Sequence, residues 1–260
     1  MGLFDDIFNK SVIYEMFFFN VKSVLEYPDL EILEKENPLL FQSWLEVCKQ
    51  KNINTETIDF NNYYLENAIY YPEYNKIISI TFGGVYNENN ELKRYINKIV
   101  NDEESIVIDG FFNVLNEISS DGMKSQPKYF PILSGYNIIN YDIPLLFKRY
   151  LKNINNINNI NNKLPLILKR ALTIKPWESG VIDIINLWNF NGKYEITPLS
   201  TIINFLNLKR KLELLTPFEL SKYYWDNIKK DKEKTLEYIS LQSANQTNII
   251  IQIINKLRII

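Results

Sequence analysis

The groups able to do chemistry in this chain are carboxylates, amides, hydroxyls and amines, because its 260 residues include no histidine and a single cysteine, Cys48. Without imidazole there is no histidine acid–base catalysis, no Ser-His-Asp triad and no histidine-held metal. One thiol leaves no intrachain disulfide and no cysteine-based zinc cluster. Among the carboxylates, Asp142 has the most suggestive setting: a strand-like stretch closes at Gly135, and Asp142 then stands at a helix entry, with Pro144 suited to the first turn. The same local sequence suits an ordinary N-cap aspartate. Tyr238 reads equally as a packed aromatic or as a site residue. The short runs Lys209-Arg210-Lys211 and Lys229-Lys230-Asp231-Lys232 suit solvated helix ends, with phosphate contact as the functional alternative. Trp177, Trp188 and Trp225 fit packing better than base stacking.

The elements that must carry these residues alternate between strand and helix. Val12 to Phe19 ends in an aromatic-rich apolar run expected to be a buried strand. Asn37-Pro38 opens a helix through Lys51, with Leu40, Trp44, Val47 and Cys48 on one face. Lys76 to Phe82 reads as a strand that turns at Gly83-Gly84 and resumes at Val85, in a meander. Leu92 to Val100 has helical spacing, Ile106 to Ile108 suggests a short strand, and Gly110 to Ile118 a helix. Pro127 to Ser134 leads into a strand, a helix follows Asp142, and Ile182 to Trp188 is strand-like. Pro198 to Ile260 is mainly helical. The alternation predicts an α/β class.

One elaborated domain over residues 1–260 is expected from a hydrophobic content of 46%, with the Asn-rich stretch at 153–162 as an expanded surface loop. A balance of 29 basic against 31 acidic residues gives a net charge of −2, so any attraction for nucleic acid must come from a locally sorted patch. The start, Met1-Gly2-Leu3-Phe4-Asp5-Asp6, lacks a basic leader, and no uncharged apolar run has the length of a membrane span. A soluble, intracellular protein with no membrane partner is expected. Abundant Asn, Ile, Lys and Tyr with scarce Gly reflect AT-rich coding, which suggests a virus or phage.

Ser134-Gly135-Tyr136-Asn137 followed by Tyr141-Asp142-Ile143-Pro144 resembles the second motif of the DEDD-type 3′–5′ exonucleases. Further segments occur in the order of the predicted exonucleases related to the family-B polymerase proofreading domain. Tyr71-Pro72-Glu73-Tyr74-Asn75-Lys76-Ile77 resembles their Pro-Glu-aromatic-x-Lys-Ile strand entry. Lys175-Pro176-Trp177-Glu178 with Ile182-Asp183 and Leu187-Trp188 resembles their Lys-Pro-Trp-Glu block, and the Ser200 to Leu208 helix and Tyr223-Tyr224-Trp225 also fit. The likeness spans roughly Tyr14 to Leu257. It implies an RNase H-like fold, a mixed central sheet flanked by helices.

At the family's first motif, Asp-x-Glu, this chain reads Asn20-Val21-Lys22; at its third, Tyr-x-x-x-Asp, it reads Tyr238 to Gln242. In this resemblance only Asp142 keeps its charge, and Asn20, Asp142 and Gln242 are expected to converge. Two carboxylate-held metal ions drive the family's cleavage. An ammonium about 4 Å from such a metal opposes it by roughly 4 kcal/mol at an effective dielectric near 20. The resemblance thus implies a vestigial site, Asn20, Lys22, Asp142, Tyr238 and Gln242, with no metal and no cofactor; with Mg²⁺ and Mn²⁺ gone, Lys22 is expected to reach Asp142 directly or through one water. Tyr136, Asn137, Lys209, Arg210 and Lys211 are candidate contacts for single-stranded nucleic acid. Three functions compete: an inactive exonuclease-like module binding nucleic acid or a protein partner, a working Mg²⁺- or Mn²⁺-dependent exonuclease drawing on Asp109, Asp121 or Asp183, and a virion or assembly protein.

Overall fold

A computed structural model describes residues 12–120, 130–155, 164–173, 180–189 and 196–257. Among the described residues five strands, β1 (Met16–Leu25), β2 (Asn75–Glu88), β3 (Glu91–Val100), β4 (Ile132–Gly135) and β5 (Val181–Asp183), form one mixed sheet in the order β3-β2-β1-β4-β5. β1 pairs antiparallel with β2 and β2 with β3, whereas β4 is parallel to both β1 and β5. β1 is central and buries every residue except the part-buried Lys22. Helices cover both faces, which is why its apolar run shows no polar alternation.

On one face Phe17, Phe19, Val21 and Phe82 pack against α4 (Glu104–Ser120), α5 (Ile143–Asn153) and α6 (Leu166–Thr173). On the other, Met16, Phe18 and Val85 meet α7 (Ile184–Trp188), α8 (Leu199–Phe205) and the Ile249 to Ile254 segment of α10 (Lys232–Leu257). Between β1 and β2 the chain makes α1 (Leu30–Glu36), α2 (Pro38–Gln50) and α3 (Phe60–Asn67), with an aromatic core around Trp44, Tyr64 and Tyr74. α9 (Pro217–Asn227) packs on Val24 and Ile78 through Leu220 and Tyr224.

The Asn37-Pro38 helix is as expected, since Asn37 accepts from the Leu40 N–H (3.1 Å) and Pro38 fills the first turn. Gly83-Gly84, however, is not a turn. β2 runs straight through it, and the hairpin turns at Asn89-Asn90, both at positive φ. The glycines serve close approach: a Cβ on Gly83 would stand 2.1 Å from the Tyr95 carbonyl oxygen.

Leu92 to Val100 is strand, not helix, because β3 pairs along its whole length with β2, and long-range pairing outweighs local spacing. Ile106 to Ile108 lies inside α4, where Val107 and Ile108 join Phe111 and Phe112 on the buried face. The run from Ile182 gives only the short β5 before Asp183 caps α7. Asp121, residues 175–178 and most of the Asn-rich stretch lie outside the described residues.

Candidate functional site

β4 pairs with β1 only as far as Phe18 and stops at Gly135, so among the described residues the β1 edge beyond it has no strand partner on that side. A Cβ on Gly135 would come within 2.7 Å of the Phe19 carbonyl oxygen, so the chain can leave the strand here only as glycine. It continues through Asn137, at φ 59°, into a π-type turn, Ile138–Asp142, that feeds α5. Such turns cluster at functional sites. The turn returns the Asp142 carboxylate to β1, where Oδ2 accepts from the Val21 N–H (3.2 Å).

Asp183, at the end of β5, holds that turn from the other side. Its Oδ1 accepts from the Asn137 N–H (2.8 Å) and the Ile185 N–H (3.1 Å), and its Oδ2 from the Ile139 N–H (3.0 Å). Its sequence signal was an acid between a strand and a helix. It acts as a positioning residue for Asp142, a role that the sequence reading missed.

Asn20 and Lys22 flank Val21 and, by strand alternation, face α10. Asn20 Oδ1 accepts from Ser243 Oγ (3.2 Å), and Lys22 Nζ donates to Gln246 Oε1 (2.5 Å). Ser243 continues into a buried hydroxyl chain through Thr81 (2.8 Å) to Thr247 (2.7 Å). Among the described residues Lys22 and Asp142 form no direct ion pair; the ammonium is committed to α10 while the carboxylate sits at the strand edge.

Asn20, Lys22 and Asp142 are therefore together, but Gln242 is turned elsewhere. Gln242 stands one turn before Gln246 on α10, but its side chain turns toward the 213–215 segment, where its Oε1 accepts from the Leu215 N–H (3.4 Å). Gln242 Nε2 donates to the Glu213 carbonyl (3.1 Å) and to Tyr238 Oη (3.0 Å). With Tyr238, whose ring is 4.5 Å from that of Tyr223, Gln242 lines an open pocket of about 280 Å³ beside Glu213, Leu215 and Glu219. Tyr136 points its hydroxyl inward, donating to the Thr197 carbonyl (2.5 Å), while Lys209, Arg210 and Lys211 are exposed. Asp109 lies on α4, with a buried Oδ1 lacking a partner among the described residues.

Burial pushes the Asp142 carboxyl up to about 8 and outweighs the Val21 N–H and the charge of Lys22, which both favour the anion. Burial likewise pushes Lys22 down to about 8, against the pull of Asp142. Burial also raises Asp183 despite its backbone donors. For Asp142 the sign is that of a raised acid: its contribution to stability is complete below the unfolded value near 3.8 and is lost as pH climbs through about 8. Asp142→Asn removes this loss while leaving an acceptor for Val21. The variant is expected to gain on the parent chain as pH rises from 5 to 9, by about 2 kcal/mol or more. Thermal melts across that range check it; a constant difference would contradict the burial of an ionisable carboxyl.

Among the described residues no three Cys, Asp or Glu side chains are grouped to hold a metal, and no helix is long and apolar enough to cross a membrane. No family model, curated protein or solved structure matches this chain.

Proposed function

We propose that this chain is an exonuclease-like protein of the DEDD, RNase H-like type that has lost its metal chemistry and serves as a binding module for single-stranded nucleic acid. One observation carries the reading. Asn20 and Lys22, which stand where the resemblance expects the first-motif acids, flank the one β1 residue whose N–H is held by Asp142. A mixed sheet with helices on both faces, and a motif aspartate delivered to the central strand, agrees with what the resemblance implies.

The donor set does not suit a pair of magnesium ions. Its amide is bonded to Ser243, its ammonium would repel a cation, and Asp142 is its one carboxyl.

The test is digestion of labelled single-stranded DNA and RNA with Mg²⁺ or Mn²⁺, beside binding of the same strands over a salt series. The expected result is no cleavage, with binding whose logarithm falls linearly with the logarithm of salt. Metal-dependent shortening from the 3′ end by the parent chain would overturn the reading. The α10 geometry also sets the restoration experiment. Asn20→Asp with Lys22→Glu should be completed by Ser243→Asp, since Ser243 meets Asn20, and compared with completion by Gln242→Asp.

A further inference from the structure

The outer edge of β3 is long and open. β3 pairs with β2 from Glu91 to Val100 with no shift of register. Just past it the Asn101 N–H reaches the Ile78 carbonyl (3.1 Å), so by antiparallel alternation Arg94, Ile96 and Lys98 turn their own N–H and C=O groups away from β2. Among the described residues those groups meet no other backbone.

The side chains of the same three residues share the α10 face of the sheet. Ile96 packs with the Ile249 to Ile254 cluster, Lys98 Nζ donates to Ser240 Oγ (3.0 Å), and Arg94 has no partner among the described residues. Both cations are exposed. Tyr95 and the Lys93–Glu91 pair (2.7 Å) lie on the opposite face. The free backbone edge thus coincides with a row that reads cation, apolar, cation.

The same row repels a second copy of the chain. When two β3 edges pair antiparallel with matching faces, a centre at Arg94 or Lys98 sets that residue against itself, and a centre at Ile96 sets Arg94 against Lys98. Centres at Tyr95 or Asn97 leave like charges on the diagonal. Protection against such pairing accounts for the cations, but protected edges are commonly also short or bulged. β3 is neither, and keeps ten residues in regular register.

We infer that the β3 edge receives an extended acidic segment of a protein partner as an added strand, with acids opposite Arg94 and Lys98 and an apolar residue opposite Ile96. Backbone pairing supplies the affinity, and the alternate side chains supply the selection. The inference is independent of the nucleic-acid reading above.

Fluorescence anisotropy on the full chain tests it, with a labelled peptide of about nine residues centred on Glu-Thr-Val-Thr-Glu. The parent chain is expected to bind it, and to bind about tenfold less well the same residues reordered so that the two acids are adjacent and face opposite sides of a strand. Arg94→Glu with Lys98→Glu should lose about tenfold or more and gain binding to the peptide whose acids are replaced by lysine. Both side chains are exposed, so these changes leave the core intact. Arg94→Pro should lose more than Arg94→Ala, since proline removes an outward N–H that the β2 ladder does not use. A parent chain that binds neither peptide overturns the inference, as does equal binding of the two orders or an undiminished charge-reversed variant. Equal losses for proline and alanine overturn strand addition. Binding of single-stranded DNA but not of the peptide overturns this inference and leaves the nucleic-acid reading intact.

Discussion

Arg149→Ala is expected to lower the unfolding free energy by about 3–5 kcal/mol, because it leaves a buried carboxylate without its cation. Arg149 on α5 is 2% exposed. Its Nε donates to Glu104 Oε1 (2.8 Å), Nη2 to Glu104 Oε2 (2.7 Å) and Nη1 to Glu26 Oε2 (3.0 Å). Glu104, at the start of α4, also accepts from the Ile77 N–H of β2 (2.6 Å) and from Asn153 Nδ2 (2.7 Å). One carboxylate thus joins α4, α5 and β2, and one guanidinium extends the network to Glu26 just past β1. With Arg149 gone, the remaining neutral donors cannot balance the charge of Glu104. Urea unfolding with an unchanged slope measures the loss. Adding Glu104→Gln should recover part of it, since the orphaned charge is then removed. A single-variant loss below about 1 kcal/mol would mean that water reaches Glu104.

Trp44→Ala is expected to cost a comparable amount, about 3–5 kcal/mol, whereas Trp44→Phe should cost far less. Trp44 of α2 is buried among Tyr64, Tyr71 and Tyr74, with ring centroids 5.7, 5.9 and 5.3 Å away in edge-on geometry. Alanine would leave a cavity between α2, α3 and the start of β2. Phenylalanine keeps an edge-on ring and removes a liability, since the Trp44 Nε1–H is buried with no hydrogen-bond partner among the described residues. Thermal melts of the two variants check the contrast. Equal losses would show that indole volume, not ring contact, holds α1 to α3 against the sheet.

Local signals located some elements and misplaced others. Asn37-Pro38 is specified within a few residues by a side-chain cap and the fixed φ of proline, and the entry at Asp142-Ile143-Pro144 by Pro144 in the first turn alone, since the Asp142 side chain makes no cap. β3 and Ile106 to Ile108 went the other way because their apolar spacing fits either structure. Pairing with β2 decided the first, and the continuation into Phe111 and Phe112 of α4 decided the second. The Arg149–Glu104 network left no local trace, since its partners are 45 positions apart and each sits in an unremarkable helix.

By itself the sequence determined what chemistry is excluded, since the absence of histidine and the single thiol hold in any fold. It also determined that Asp142 opens a helix, because Pro144 and the residues around it impose that within one turn. Only the tertiary structure decided which groups meet it. Lys22 finds Gln246 across 224 positions, and Asn20 finds Ser243, not Gln242, across 223. Both choices depend on the rotation of α10 about its axis, and one residue of difference there is about 100°. That angle is set by the buried isoleucines from Ile249 to Ile254 packing on the sheet, not by the residues that face Asn20 and Lys22.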